Sequence, residues 1–245
     1  MAAQFANVYE DTARAEAYAG LEYPGTYYLA FRDLPTIIRR QVRGDHALDF
    51  GCGTGRSTRF LKDLGFHAVG IDIAEAMLVQ ARIRDPGGEY RLVPVETPPP
   101  LPAGTYDLVL AAFTFDNVPT VDKKVHLFRA MRTSLTPHGR IVTIVSAPAI
   151  YVHEWASFST VAFPENREAR SGDVVRIVML DVPDRRPVED ILCTDETYRE
   201  VFDQAGLSVV AAFRPLGQAS EPHAWITETS VAPWTIYVLG DSKDP

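Results

Sequence analysis

Apolar residues recur along this chain with two alternating periods, and that alternation predicts a succession of βαβ units. Short apolar runs at 47–50, 67–71, 90–95, 106–112 and 140–145 have the length of buried strands. Between them, 57–64, 74–84 and 121–135 show helical spacing, the last with Val125, Leu127, Phe128, Met131 and Leu135 on one face. Each unit is long enough for a parallel crossover. Ahead of the first strand, 4–19 mixes Ala with charges and predicts a weakly amphipathic helix. A second helical run spans 27–42, where Pro35 marks a kink or a fresh start. After Val145 the rhythm breaks. Residues 147–194 hold two strand-like runs, 174–180 and 188–193, around Pro183-Asp184-Arg185-Arg186-Pro187, as expected of an antiparallel pair laid over the main sheet. A helix over 195–205 and strands over 207–213 and 234–239 follow, with too little chain between the two strands for a helical crossover, so the pair includes an antiparallel member. The pattern predicts an α/β fold: a Rossmann-like, seven-stranded, mostly parallel doubly wound sheet with one antiparallel strand and a lid-like insertion. One domain spans 1–245, divided into a helical cap (1–44), a core (45–146), the insertion (147–194) and a C-terminal helix with strands (195–245).

Composition narrows the function. With 245 residues, 46% hydrophobic and 23% charged, the chain can bury one substantial core. Its net charge of −8 disfavours a phosphate-tracking surface, so nucleic acid is not expected as a partner. Cys52 and Cys193 stand far apart, forming neither a disulfide framework nor metal knuckles, which suits a reducing cytoplasm. The N-terminus lacks a signal peptide's basic start and apolar core, and no stretch approaches the ~18 apolar residues of a membrane span. The expectation is a soluble cytoplasmic protein with no membrane partner; oligomeric state is not legible.

The most informative segment is Asp49-Phe50-Gly51-Cys52-Gly53-Thr54-Gly55, directly after a strand and before a helix. Glycines at alternate positions let backbone pass close under a nucleoside and offer amide N–H groups at a helix start. Asp72, 21 residues beyond Gly51 and at the end of the next strand, can accept both ribose hydroxyls. Arg56 stands where the third glycine of a dinucleotide fingerprint would fall, and that favours adenosylmethionine over a nicotinamide dinucleotide.

The run ALDFGCGTGRSTRFLKDLGFHAVGIDIAEAMLVQAR resembles the first two motifs of the class I S-adenosylmethionine-dependent methyltransferases, in particular their small-molecule, type 11 branch. YDLVLAAFTFDNV at 106–118 and LTPHGRIVTIV at 135–145 resemble the motifs of the fourth and fifth strands, and 194–213 shows a weaker likeness. The resemblance implies S-adenosyl-L-methionine as cofactor and S-adenosyl-L-homocysteine as product. It implies that Gly51, Gly53 and Gly55 line the methionine and ribose end, Asp49 reaches the methionine amino group, and Asp72 holds the ribose. Ile73 and Met77 would pack on adenine, and Ala112 with Phe113 would lie under the methionine. Relatives often carry an acidic residue after the third strand; here Glu96 takes that part after a shift, or a backbone carbonyl near Val95 does. In relatives the N-terminal helices close over the cofactor, and Tyr28 and Arg32, four apart on one helix face, would clamp its carboxylate.

Methyl transfer to a small acceptor asks the protein mainly to position two reactants and exclude water. A hydroxyl acceptor needs a base, whereas a neutral amine does not. Asp116, His153 and His223 are the candidate bases near the strand ends, with an N-cap as the plainer role of Asp116 and an exposed or core position that of the two histidines. Tyr9, Tyr18, Asn117, Trp155, Phe158 and His223 are candidate acceptor contacts, although aromatic residues ordinarily serve packing. No group of residues has metal-ligand spacing. The competing readings are a nicotinamide-dependent oxidoreductase and a cofactor-binding regulator without turnover.

Overall fold

The computed structural model describes residues 11–94 and 101–243. Three helices open it: α1 (Thr12–Ala19), α2 (Gly25–Arg32) and α3 (Leu34–Gln41). Pro35 lies in the first turn of α3, where a missing N–H costs nothing, so the proline marks a fresh start. The core follows as β1 (His46–Phe50), α4 (Arg56–Asp63), β2 (His67–Asp72), α5 (Glu75–Arg84), β3 (Glu89–Leu92), β4 (Tyr106–Ala112), α6 (Val121–Ser134) and β5 (Leu135–Ser146). Next come three short strands, β6 (Phe158–Ser159), β7 (Val174–Met179) and β8 (Val188–Ile191), then α7 (Asp195–Ala205), β9 (Leu207–Phe213) and β10 (Trp234–Asp241).

The main sheet has the order β3-β2-β1-β4-β5-β10-β9, and β10 runs antiparallel to both β5 and β9. Its central strands are apolar on both faces because helices cover both faces. Leu108, Leu110, Val142, Ile144, Ile236 and Val238 face one core with α2 and α3. Their neighbours Val109, Ala111, Ile141, Val145, Tyr237 and Leu239 face a second core with α6 and α7. Two-residue alternation thus sorts one run of sequence into two layers. β5 begins earlier than the sequence pattern predicts, at Leu135, and takes in Pro137-His138-Gly139. His138 adopts φ 65° there, and the pairing with β4 shifts register between Tyr106 and Leu108.

Two features place the site. Strand order reverses between β1 and β4, so the loops after these strands face one another across the crevice at the carboxyl ends. Thr114 Oγ1 donates to the Phe50 carbonyl at 2.8 Å across that crevice. In addition, β6, β7 and β8 form a separate antiparallel sheet. Asn117 Nδ2 ties the loop after β4 to it through Asp190 Oδ1 at 2.6 Å, and Arg14 of α1 pairs with Asp184 of the β7–β8 connection at 3.2 Å. Among the described residues, no helix is long and apolar enough to cross a membrane.

Candidate active site

The chain leaves β1 through a turn in which Gly51, Gly53 and Gly55 all have positive φ, at 74°, 52° and 78°. Gly51 is doubly required, because a Cβ there would also lie 2.4 Å from Thr114 Oγ1. A Cβ at Gly53 would meet nothing within 4 Å, so the turn opens on space at that point. Asp72 Oδ2 accepts the Gly53 amide at 2.7 Å and Oδ1 accepts the Ala74 amide at 2.9 Å. This carboxylate, raised above its ordinary pKa by burial, thereby joins the ends of β1 and β2.

Asp49, next to the last residue of β1, is fully buried. One carboxylate oxygen accepts from Ser57 Oγ at 2.7 Å and Thr58 Oγ1 at 2.6 Å, while Oδ1 has no partner. Burial pushes its pKa up to about 6. Buried polar atoms are rarely left unmatched, so this oxygen points to a donor that is brought by a ligand. Nearby, Arg56 opens α4 at 8% exposure. Its guanidinium lies 5.0 to 5.9 Å from the ring centres of Tyr23, Tyr27, Phe31 and Phe113. It donates to the Glu22 carbonyl, and among the described residues no carboxylate lies within ion-pair distance of it. A cation at a helix N-terminus opposes the helix dipole, and that is the signal in the sequence that an anion belongs there. An α-amino acid carries both the donor and the anion, so these residues fit the methionine end of S-adenosylmethionine.

Phe113, at φ 64°, turns the chain from this cradle toward a second hollow. A cleft with about 430 Å³ of atom-free space, its open mouth included, is lined by Tyr18, Tyr27, Phe113, Phe158 and Trp234 and by Asp116, Asn117, Ser146, Tyr151 and Asp190, with aliphatic residues of the insertion. Asp116, 6% exposed, accepts the Ser146 amide at 3.1 Å and Ser146 Oγ at 2.8 Å. Asp190, 8% exposed, accepts from Asn117 and from Tyr151 Oη at 3.0 Å. Burial, then the charge of Asp190, raises Asp116 to about 7; burial raises Asp190 to about 6. Lys124 of α6, 2% exposed, faces both carboxylates from behind and donates to the Phe115 carbonyl; desolvation lowers its pKa. Cys193, Tyr18, Tyr151 and Tyr198 are further titratable groups around this cluster.

Several sequence expectations need correction. Asp116 is not an N-cap: it lies in a 3-10 turn, Thr114–Asn117, and Thr120 caps α6. His153 is exposed and absent from the cleft lining, so it is no candidate base. Trp155 is fully buried and donates its indole N–H to the Ile150 carbonyl at 2.8 Å, which makes it core of the insertion. Arg32 pairs with Asp33 and Glu221, both at 2.8 Å, and Tyr28 packs on His223 with ring centres 4.6 Å apart. These three belong to a contact with the C-terminal loop, while the face of α2 that meets Arg56 carries Tyr27 and Phe31. Met77 is buried against Ala15 of α1 and Ala74, so its face is not open to adenine, whereas Ile73 is half-buried. Tyr18, Asn117 and Phe158 do line the cleft, and Ala112 lies half-buried at the end of β4. Tyr9, Val95 and Glu96 lie outside the described residues. Among the described residues, Asp45, His46 and Asp107 come close enough to share an ion, and Asp107 already accepts two backbone amides at 3.1 Å.

Residues 48–143 match the family model described as Methyltransferase domain. A ubiquinone biosynthesis O-methyltransferase of Bordetella avium (strain 197N) is 34% identical over 102 residues, which cover 40% of this chain and 41% of that protein. An 18S rRNA (guanine-N(7))-methyltransferase of Bos taurus is 41% identical over 66 residues, 27% of this chain and 24% of that one. The chain thus spans less than half the length of these curated relatives. Among solved structures, a putative S-adenosylmethionine dependent methyltransferase from Listeria monocytogenes superposes with a TM-score of 0.64 at 16% identity, covering 87% of this chain and 99% of that one, and so shares the fold. Residues 48–143 thus match a methyltransferase domain, which implies S-adenosylmethionine as the cofactor, and the chain has the Rossmann-like sheet expected from its sequence. A nicotinamide-dependent oxidoreductase is set aside by the same match.

Proposed function

We propose that this protein transfers the methyl group of S-adenosylmethionine to a nitrogen or oxygen of a small molecule held in the cleft. The observation that carries the reading is the partnerless Asp49 Oδ1 beside a guanidinium without an anion, at a glycine turn that opens on space. When bound, the cofactor supplies a methyl group on a positively charged sulfur. Asp49 accepts the amino group of its methionine end, Arg56 receives the carboxylate, and Asp72 takes the ribose hydroxyls. Phe113 stands between cradle and cleft, so donor and acceptor meet beside it. The aromatic walls exclude water, and Asp116 collects the acceptor's proton. Residues 147–194 act as the acceptor lid, because Tyr151, Phe158 and Asp190 come from that stretch. A small-molecule acceptor suits a narrow aromatic cleft on a chain of net charge −8.

Calorimetry with S-adenosylhomocysteine and with 5′-methylthioadenosine, which lacks the amino acid, tests the reading. The expected result is much tighter binding of S-adenosylhomocysteine, a preference that Arg56→Met removes and Asp72→Ala leaves in place while weakening both ligands. Equal affinity for the two ligands in the unsubstituted protein would refute the cradle.

A further inference from the structure

The polar lining of the cleft has a bias that narrows the acceptor. It contains two buried carboxylates, Asp116 and Asp190, and no Lys, Arg or His. The donors that bond them are neutral: a backbone amide and hydroxyl of Ser146, the Asn117 amide group and the Tyr151 phenol. The buried cation in reach, Lys124, donates to the Phe115 carbonyl from behind the carboxylates and does not line the cleft. Two acids against one ammonium leave one negative charge uncompensated in a desolvated site, unless a proton or a ligand supplies a positive one. Beside aliphatic residues of the insertion, the other walls carry five aromatic rings, Tyr18, Tyr27, Phe113, Phe158 and Trp234, a ring type whose negative quadrupole attracts cations.

We infer that the methyl acceptor is a small primary or secondary amine that enters as its ammonium ion, held by Asp190 and Asp116 and boxed by Tyr27, Phe113, Phe158 and Trp234. The inference rests on the methyltransferase reading above. An ammonium has no lone pair, so one N–H proton must pass to the Asp116 carboxylate before transfer. The freed nitrogen pair then forms the N–C bond to the methyl carbon as the C–S bond breaks. The electron pair of that bond stays on sulfur, which becomes a neutral thioether, and the product leaves as an N-methylammonium ion. The proton on Asp116 returns to solvent through the open mouth. Asp190 stays charged to hold the product's cation, a positioning role distinct from that of Asp116.

Head-group preference tests this apart from the cofactor question. Purified protein saturated with S-adenosylhomocysteine is titrated in a calorimeter with 2-phenylethylamine, 2-phenylethanol and 3-phenylpropionate, which share a ring and differ in the terminal group. The expected order is amine tighter than alcohol by about tenfold or more, with no carboxylate binding, as charge-assisted hydrogen bonds predict. Asp190→Asn should abolish the preference for the amine and leave S-adenosylhomocysteine affinity unchanged. Alcohol binding as tight as amine binding, or no amine binding at millimolar concentration in protein that binds S-adenosylhomocysteine, would overturn the inference. Failure of S-adenosylhomocysteine itself to bind would instead count against the methyltransferase reading, and the amine-to-alcohol ratio of the cofactor-free protein would still decide the acceptor class.

Discussion

The proposed cofactor cradle and the proposed acceptor cleft lie side by side and are built in opposite ways. The cradle comes largely from one stretch of chain, 49–72, in which a strand, a glycine turn and the next strand end bring Asp49, Arg56 and Asp72 together through local geometry. The cleft takes Tyr18 from α1, Tyr27 from α2, Asp116 from the loop after β4, Asp190 from β8 and Trp234 from β10. A site built from one local unit can be read as a motif and survives change elsewhere. A site gathered from five elements depends on the packing of all of them, and each can vary to suit a different acceptor.

The largest expected effect breaks the local side. Gly51→Ala forces a side chain into positive φ and against Thr114, at a cost of about 2–4 kcal/mol of stability. It should also abolish detectable S-adenosylhomocysteine binding in calorimetry, with folding checked by circular dichroism. If binding survives, the turn is not the cradle.

Asp116→Asn separates the two regions. Loss of the proton acceptor should lower turnover roughly 100-fold while cofactor affinity stays within error, read as kcat against a calorimetric Kd. A mutant as active as the parent would show that positioning suffices and that the acceptor arrives already deprotonated.

A pH series sharpens the same contrast with a smaller effect. Asp116 is raised to about 7 and Asp190 to about 6 from 3.8, so each binds its proton more tightly folded than unfolded. Their contribution to stability is complete below the unfolded value near 3.8 and is lost as pH rises through 6 to 7. Thermal melts should therefore show Asp190→Asn declining less than the parent between pH 5 and 8. Turnover should move the other way and rise over the same window as Asp116 ionises. A parent and mutant with parallel melting profiles would remove the coupling of these acids to stability.

The smallest effect is expected at His153. Exposed and outside the cleft, it should tolerate His153→Ala with stability within about 0.5 kcal/mol and turnover near that of the parent. A large loss of turnover would return it to the candidate bases.

The alternation of strand and helix, the antiparallel pair at the C-terminus and the glycine turn were legible because each rests on local rules: period, turn chemistry and the room a missing Cβ leaves. Asp49 and Asp72 could be singled out as candidates because each lies at or next to the end of a strand beside that turn. Arg56 carried a local signal, a cation at a helix start, that gains its meaning once the rings of Tyr23, Tyr27, Phe31 and Phe113 surround it. Asp190 left a fainter trace, an acid sharing a strand face with the buried Val188. Which aromatic residues wall a cleft and which fill a core was decided by tertiary packing alone. Trp155 and Phe158 stand three apart in one segment, yet the first is sealed against Ile150 and the second faces the cleft. The pairing of Asp116 with Asp190 likewise arises where β8 packs on the loop after β4, because a through-space charge interaction depends on distance in the fold and has no counterpart in sequence spacing.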